Sequence, residues 1–571
     1  MIPWYLTDAD RLASEYEGLL TLAATASWLT VDGVRLDTEA RACIDIEILA
    51  AGRRHRAVVR YPIVFPFTPP SVLPLERESW SGHQYGNGGE LCLEWGADNW
   101  LPTLTGADMV LSAERLLTGE ADGGEALRAI VPSRHDLTPG QETRASLLRV
   151  LVTQAWADRM NSLPMAAVRT VEMVWTDHEP GSYLTPVNLV DGDEVWTDPT
   201  VPSPLWSGVT LYKGAVFRLP SGVEEPRETT ATAMRAFLST QGFRPDEDAP
   251  GWRMLLLWTD GGARLLFFRS DVDLVNAFTV VPAGGGSRLP VSYACLAGKS
   301  VGLVGCGSAG SKIATSLARA GVGRFVLVDD DLLLPENMVR NDLDWSVIGE
   351  HKVRGVARRI GLASPGVKVD VHLKRLAAQE ASGVADSVLR SLQDCDLVID
   401  ATAEPTVFNL LSAVVGAARR PMVWLGIFAG GVGGEVARSR PGLDPSPQLA
   451  RARIDAWCAD QGVTAPRPSR PYETGAEAEP LIADDADVTV IAAHGARLAL
   501  DILTETTPSA FPQSAYLIGL REGWIFTQPF HTHGIDLGPP EASTPKIPGP
   551  NGIELVSKLI ATRIAEAADP S

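Results

Sequence analysis

The stretch VGLVGCGSAGSKIATSLARAGV, residues 301–322, decides the fold of the last part of the chain. An apolar run leads into Gly305, Gly307 and Gly310, and a segment with helical spacing follows. Glycines at such a turn let backbone N–H groups approach phosphate oxygens, and the helix N-terminus adds a favourable dipole. We therefore expect a nucleotide site here. The glycines alone do not distinguish an ATP site from a dehydrogenase-type NAD site, or from a purely structural turn.

Around this turn, strand-like and helix-like segments alternate, which predicts a Rossmann-like, mostly parallel sheet with helices on both faces. We place this domain at 291–535 and a C-terminal tail with a helix at 536–571. Residues 440–487 are rich in Pro, Ala and acidic residues, which suggests a long excursion. The candidate strands are KSVGLVG (299–305), FVLVDDD (325–331), VKVDVHL (367–373), CDLVIDA (395–401) and MVWLGIF (422–428), and VTVIAAHGARLALDIL (488–503) is a candidate helix.

The preceding residues predict two further α+β domains within a multidomain α/β protein, at 1–150 and 156–290. The first contains an amphipathic helix at 8–25, a hairpin at 40–61 and a helical run near 106–118. The proline-dense segment YPIVFPFTPPSVLP, residues 61–74, excludes a central strand there. In the second domain, WRMLLLWTDGGARLLFF (252–268) predicts a hairpin with its turn at DGG. We find no catalytic constellation in it and expect a linker or docking domain.

The bulk composition excludes several classes of function. The formal net charge of the 571 residues is −20, which argues against general nucleic-acid binding. The six cysteines form no C-x-x-C pair, so a cysteine zinc site is not expected. The N-terminal residues lack a signal-peptide pattern, and no run approaches the roughly 18 apolar residues that span a bilayer. We expect a cytoplasmic protein that does not bind membranes.

Downstream of the glycines, the segment LLLPENMVRNDLDWSVIGEHK, residues 332–352, follows the acidic strand end at Asp329. It resembles the signature of the ThiF/MoeB and ubiquitin-activating families. The resemblance implies an adenylation domain in which Asp329 binds the ribose of ATP. It further implies that Asn337, Arg340 and Lys352 contact the phosphates. Fixed cations suit this chemistry, because attack of a carboxylate on the α-phosphate builds negative charge.

The segment DLVIDATAEP, residues 396–405, is similar to the strand whose end carries a magnesium-binding Asp in these families. Asp400 matches the first Asp of the family's D-x-T-D pattern, whereas Ala403 occupies the second position. The resemblance therefore implies Mg²⁺ bound by Asp400 or by Glu404.

Residues 1–150 resemble ubiquitin-conjugating enzymes. The proline segment at 61–74 precedes GELCLEWGADNWLPTLT (89–105), in which Trp100 follows Cys92 by eight residues, as in that family. The resemblance implies that Cys92 is the thioester cysteine. The family's His-Pro-Asn is replaced by His83-Gln84-Tyr85, so either Asn87 substitutes for the missing Asn or its role is absent.

Many activating enzymes also hold the acyl group on a cysteine of their own. At the matching place this chain has Thr474-Gly475 and no cysteine. Cys458 lies in the same excursion, which as a mobile loop would carry it to the nucleotide. The alternatives are that Cys458 is a helix-surface or packed cysteine, or that the acyl group passes directly to Cys92. Cys306, inside the glycine turn, reads as a packing residue.

A chain with both modules resembles the fused activating-and-conjugating proteins of bacterial CBASS antiphage operons. That resemblance implies three partners: the C-terminus of a cGAS-like nucleotidyltransferase as acyl substrate, a target amine as acceptor, and a second copy in a homodimer. Two alternatives stand: a non-catalytic nucleotide-binding scaffold and an NAD-dependent oxidoreductase. The oxidoreductase shares the glycine turn, but it gives no account of Asn337, Arg340, Lys352 or the Cys92 segment.

Overall fold

The chain is described by a computed structural model that covers most of its length. The described residues are 2–81, 83–85, 89–97, 99–121, 146–178, 181–223, 226, 230–244, 252–269, 271–282, 289–377, 382–462, 483–541 and 550–568. They fall into two compact units, residues 1–147 and residues 148–571.

The first unit packs helices against an antiparallel sheet with the strand order β1-β2-β3-β4. The predicted helix at 8–25 and the hairpin at 40–61 are confirmed, and β4 of the proline-dense segment lies at the sheet edge, where proline is tolerated. The elements are α1 (Trp4–Thr7), α2 (Ala9–Thr25), β1 (Leu29–Leu36), β2 (Ala42–Ala50), β3 (Arg53–Arg60), β4 (Ser71–Pro74) and α3 (Gly106–Ala121).

A buried carboxylate ties this unit together. Glu15 of α2 is 1% exposed and accepts hydrogen bonds from Arg11 Nε at 2.8 Å, Tyr61 Oη at 3.0 Å and Gly106 N at 2.6 Å. Arg11 also donates to the carbonyls of Pro102 and Leu104. Because three separate segments share one charged acceptor, Glu15 fixes the start of α3 and the loop before it.

The second unit begins with a β-rich domain whose sheet closes on itself. Its strand order is β5-β12-β11-β10-β9-β6-β7-β8, and β5 also pairs with β7, so seven strands form a barrel with β8 outside. The predicted hairpin at 252–268 is confirmed as β10–β11. The elements are β5 (Leu148–Val152), α4 (Gln154–Ser162), β6 (Val168–His178), β7 (Gly181–Asp191), β8 (Glu194–Thr197), α5 (Ser203–Trp206), β9 (Tyr212–Arg218), α6 (Ala231–Thr240), β10 (Met254–Thr259), β11 (Gly262–Arg269) and β12 (Leu274–Pro282).

The rest of the unit is built on an eight-stranded sheet with the order β15-β14-β13-β16-β17-β18-β19-β20. The first five strands in that order pair in parallel, and the last three pair antiparallel. All five candidate strands are present. The strands are β13 (Ser300–Val304), β14 (Arg324–Val328), β15 (Lys368–His372), β16 (Leu397–Asp400), β17 (Met422–Ile427), β18 (Gly433–Ser439), β19 (Ala515–Gly519) and β20 (Thr532–Ile535).

Helices cover both faces of this sheet, and each face has its own apolar core. These helices are α7 (Ser308–Ala320), α8 (Lys352–Ala363), α9 (Ser382–Gln393), α10 (Pro405–Ala418), α11 (Pro447–Asp460) and α12 (Asp485–Leu503). A further helix, α13 (Pro550–Ala568), has exposed side chains over residues 550–563. The helix predicted at 488–503 is thus confirmed as part of α12. No helix in the described ranges combines the length and the apolar character needed to cross a bilayer.

Candidate nucleotide site and thioester cysteine

The glycine turn after β13 is packed tightly on one side and open on the other. A Cβ on Gly310 would lie 1.9 Å from the carbonyl oxygen of Gly305, and one on Gly305, which has φ +92°, would lie 3.0 Å from the backbone of Ala401. At Gly307 an added Cβ would meet nothing within 4 Å. The turn therefore needs glycine at its first and third positions for packing, whereas space for a phosphate lies at the second.

Asp329, at the end of β14, holds the backbone of this turn. Its Oδ2 accepts the N–H of Cys306 at 2.6 Å, and its Oδ1 accepts the N–H of Asp331 at 2.8 Å. Burial raises the pKa of Asp329, although these bonds and nearby Lys352 oppose the rise. The structure therefore places Asp329 beside the turn, where the predicted ribose contact would be made.

Cys306 is fully buried, and this burial raises the pKa of its thiol well above the ordinary value. Its environment fits the expected packing role and not that of a nucleophile.

Lys352 begins α8 and faces the same edge of the sheet. Its Nζ donates to Asp331 Oδ2 at 2.9 Å, and its side chain is 12% exposed, compared with 68% for Asp331. The segment before it folds back, since Lys352 N donates to the carbonyl of Asp331 and Leu333 N to that of Glu350. Residues 331 and 352, far apart in sequence, are thereby brought together beside Asp329.

Between them, Asn337 and Arg340 lie on a 3₁₀ turn, Pro335–Val339, and at its end. Asn337 Oδ1 caps this turn by accepting the N–H of Leu334 at 3.0 Å, and Arg340 N donates to the carbonyl of Asn337. The amide of Asn337 thus has a structural role here, and phosphate contacts of both residues stay predictions.

Two neighbouring residues that the sequence reasoning missed attach this segment to the glycine turn. Asn341, 8% exposed, lies with its Nδ2 3.5 Å from the carbonyl oxygen of Cys306. Asp342 accepts from Thr315 Oγ1 on α7 at 2.8 Å, and its N–H donates to Ser311 Oγ. The sequence held no local signal for these contacts, because their partners lie 27 to 35 residues away along the chain.

The two candidate magnesium ligands differ in environment. Asp400, at the end of β16, is 2% exposed; its Oδ1 accepts from both Thr402 N and Thr402 Oγ1, and burial raises its pKa. Glu404 is exposed at the N-terminus of α10. Val304 pairs with Asp400, so this carboxylate adjoins the start of the glycine turn.

Within the described residues, no group of three or more His, Cys, Asp or Glu side chains is arranged to hold a metal. Mg²⁺ commonly takes one or two carboxylates and completes its shell with water and substrate phosphates. A site built on Asp400, through the Oδ2 that Thr402 does not use, fits that requirement.

In the first unit, Cys92 lies directly after an isolated bridge between Gln84 and Leu91. It is 5% exposed, and its N–H donates to the carbonyl of His83 at 2.8 Å. Trp100, 8% exposed, donates from Nε1 to the carbonyl of Pro66 at 2.8 Å and so joins the segment after Cys92 to the proline segment.

The segment that replaces His-Pro-Asn is held by Gln84. Its Nε2 donates to the carbonyls of Glu78 and Gly89, and its Oε1 accepts the N–H of Trp80. Tyr85, at the position of the family's Asn, is 53% exposed. Asn87, suggested as a substitute, lies outside the described residues.

The expectation that a mobile loop carries Cys458 is wrong. Cys458 lies on α11, is 1% exposed and belongs to the apolar core beneath that helix. Burial raises the pKa of its thiol to about 11, which disfavours the thiolate that nucleophilic attack needs. The structure thus favours the packed cysteine; Thr474 and Gly475 lie outside the described residues.

The arrangement at the carboxyl edge of the parallel strands combines open space at Gly307, a cation and carboxylates. This combination suits the binding and activation of a nucleoside triphosphate. Comparison with known families agrees with it. Residues 292–470 match the ThiF family, and residues 169–284 match a domain observed between E2 and E1 domains. Within this chain, a segment similar to the ThiF family thus follows a segment similar to the domain found between E2 and E1 domains.

Three relatives illustrate this relationship. The y4oA protein of Sinorhizobium fredii is 32% identical over 241 residues, which are 41% of this chain and 39% of that protein. The ATP-dependent ubiquitin transferase-like protein Cap2 of Pseudomonas aeruginosa is 31% identical over 120 residues, 20% of each chain. Ubiquitin-like modifier-activating enzyme 5 of Drosophila virilis is 26% identical over 187 residues, 32% of this chain and 47% of that protein. Each match spans less than half of the relative.

Proposed function

We propose that this chain activates the C-terminal carboxylate of a protein as an acyl-adenylate and delivers the acyl group to Cys92 for transfer to an amine. The observation that carries the proposal is the folding of residues 331–352 back onto the glycine turn, with Lys352 placed beside Asp329 and Asp331. The ThiF match to residues 292–470 supports adenylation, and the relationship to Cap2 supports conjugation.

In the first step, a carboxylate oxygen of the substrate attacks the α-phosphorus of ATP, and pyrophosphate leaves. Backbone N–H groups near Gly307 would bind the phosphates, and Asp329 the ribose. Lys352 and Arg340 would stabilise the negative charge that builds in the transition state. Asp400 would hold Mg²⁺, which neutralises phosphate charge when bound, and Glu404 is the exposed alternative.

In the second step, the thiolate of Cys92 attacks the acyl carbon, the bond to AMP breaks, and AMP leaves. An amine then attacks the thioester, the C–S bond breaks, and the amine loses a proton to give an amide. Because Cys458 is buried in a core, we propose direct transfer from the adenylate to Cys92. The proposed partners are a cGAS-like nucleotidyltransferase C-terminus, a target amine and a second copy of the chain.

ATP–pyrophosphate exchange with a partner C-terminal peptide tests the first step. We expect wild-type protein and Cys92→Ala to catalyse exchange, because adenylation needs no thiol. Lys352→Ala should lose it by about 10²–10³-fold, as for removal of a charge-stabilising group. ATP binding without exchange for any peptide would favour the scaffold, and reduction of NAD would favour the oxidoreductase.

A further inference from the structure

The β-barrel domain touches the adenylation domain at the helix that carries Lys352. The short helix α5 packs Leu205 and Trp206 into a small apolar cluster of the barrel. Its Pro204 points the other way, and a Cβ added to Gly361 of α8 would lie 3.0 Å from Pro204 Cγ. Proline and glycine therefore make a close contact in which neither residue has a flexible side chain to yield.

Helix α8 links this contact to the nucleotide site. Its first residue, Lys352, pairs with Asp331, and its last turn contains Gly361, about 14 Å away at 1.5 Å per residue. Between them, Arg359 pairs with Asp342 at 3.3 Å, the residue that holds Ser311 and Thr315 of α7. Val353, Val356 and Ile360 are buried along the same helix. A rigid, packed helix transmits a displacement at one end to the other.

We propose that Pro204 is a positioning residue, through which the barrel domain braces α8 and holds Lys352 at the nucleotide. This inference rests on the proposed nucleotide site and gives the barrel domain a role in it. In this role the described part of the barrel sets the position of the cation.

The test is a double-mutant cycle read by nucleotide affinity. Gly361→Leu adds a side chain against Pro204, and since leucine is the better helix former, any loss comes from the clash. We expect the fluorescent analogue mant-ATP, with MgCl₂, to bind about three- to tenfold more weakly to this variant, the range typical of such coupling. Pro204→Gly in the same chain removes the ring and should return affinity to that of Pro204→Gly alone, about twofold weaker than wild type.

The matched control is Gly416→Leu on α10, a helical glycine whose added Cβ would meet nothing within 4 Å. It should leave mant-ATP affinity unchanged, and thermal melting should confirm that all variants fold. If Gly361→Leu does not fold, Pro204→Gly alone is measured, with an expected weakening of about twofold or more.

If Gly361→Leu binds mant-ATP as tightly as the wild-type protein, the proposal that Pro204 positions α8 is overturned. It is also overturned if Pro204→Gly does not reverse the loss of mant-ATP affinity in Gly361→Leu. Because mant-ATP binding needs no acyl substrate, that failure differs from the absence of pyrophosphate exchange, which would overturn the proposed function. Wild-type protein that binds no mant-ATP overturns both.

Discussion

Replacing Glu15 with Gln tests how the first unit holds the segment that follows Cys92. The carboxylate accepts from Arg11 on Oε1 and from Tyr61 and Gly106 on Oε2. Glutamine has one oxygen, which can replace either Oε1 or Oε2 as the acceptor. The NH₂ group of the glutamine must then face either Arg11 or the other two donors. At least one donor then loses its acceptor, and Arg11 loses its counter-charge.

A hydrogen bond to a charged group contributes about 1.5–3 kcal/mol, so we expect Glu15→Gln to destabilise this region by about 2 kcal/mol. Hydrogen exchange of peptides that cover Gly106 to Leu117 measures the loss in the full chain. If exchange follows local opening, 2 kcal/mol corresponds to about thirtyfold faster exchange.

Glu114→Gln is the matched control on the same helix, because Glu114 accepts only from Thr118 Oγ1 among the bonds described. It should change exchange by less than about threefold, since single surface bonds contribute little. If Glu15→Gln also stays within that range, the buried carboxylate does not hold the start of α3, and the reasoning fails.

Three further predictions follow from buried groups. Gly310→Ala should abolish mant-ATP binding, because its Cβ would lie 1.9 Å from a carbonyl oxygen. Gly307→Ala, where the space is open, should fold normally by thermal melting. If the two variants behave alike, the difference in packing between Gly310 and Gly307 is contradicted. Burial and Glu15 raise the pKa of Tyr61 well above 10, so its contribution to stability is complete below pH 10 and is lost above it. The free energy of unfolding, measured with urea, should therefore fall by up to about 1.4 kcal/mol per pH unit above pH 10. Tyr61→Phe should remove that part of the pH dependence. Cys458→Ser should leave pyrophosphate exchange intact while lowering the free energy of unfolding by about 1–2 kcal/mol, since a hydroxyl replaces a core thiol; lost exchange in a folded variant would restore Cys458 as a catalytic residue.

The sequence predicted the elements whose signals are local. From residue 299 onwards, strand-like apolar runs alternate with helix-like segments, and this pattern predicted five strands correctly. The DGG turn predicted the β10–β11 hairpin. The barrel was not predictable in this way, because its closure depends on β5 pairing with β7 and β12, which are far apart in sequence.

The residues of the candidate site likewise fall into those that the sequence predicted and those that it did not. Asp329 and Lys352 were found because a resemblance marked them, whereas Asn341 and Asp342 escaped because their partners lie on the turn and on α7. Composition suggested a loop around Cys458, but Ile454 and Cys458 on one face of α11 bury that cysteine. A pattern of prolines and acids in the whole segment concealed the helical spacing within it.

The most direct test of the account locates the activated acyl group. Wild-type protein is mixed with MgATP and a partner C-terminal peptide, quenched in acid without reductant and digested for mass spectrometry. We predict a hydroxylamine-sensitive acyl mass on Cys92, which is absent from Cys92→Ala and from Lys352→Ala. An acyl mass on another residue, or none on Cys92 while pyrophosphate exchange proceeds, would contradict the proposed transfer.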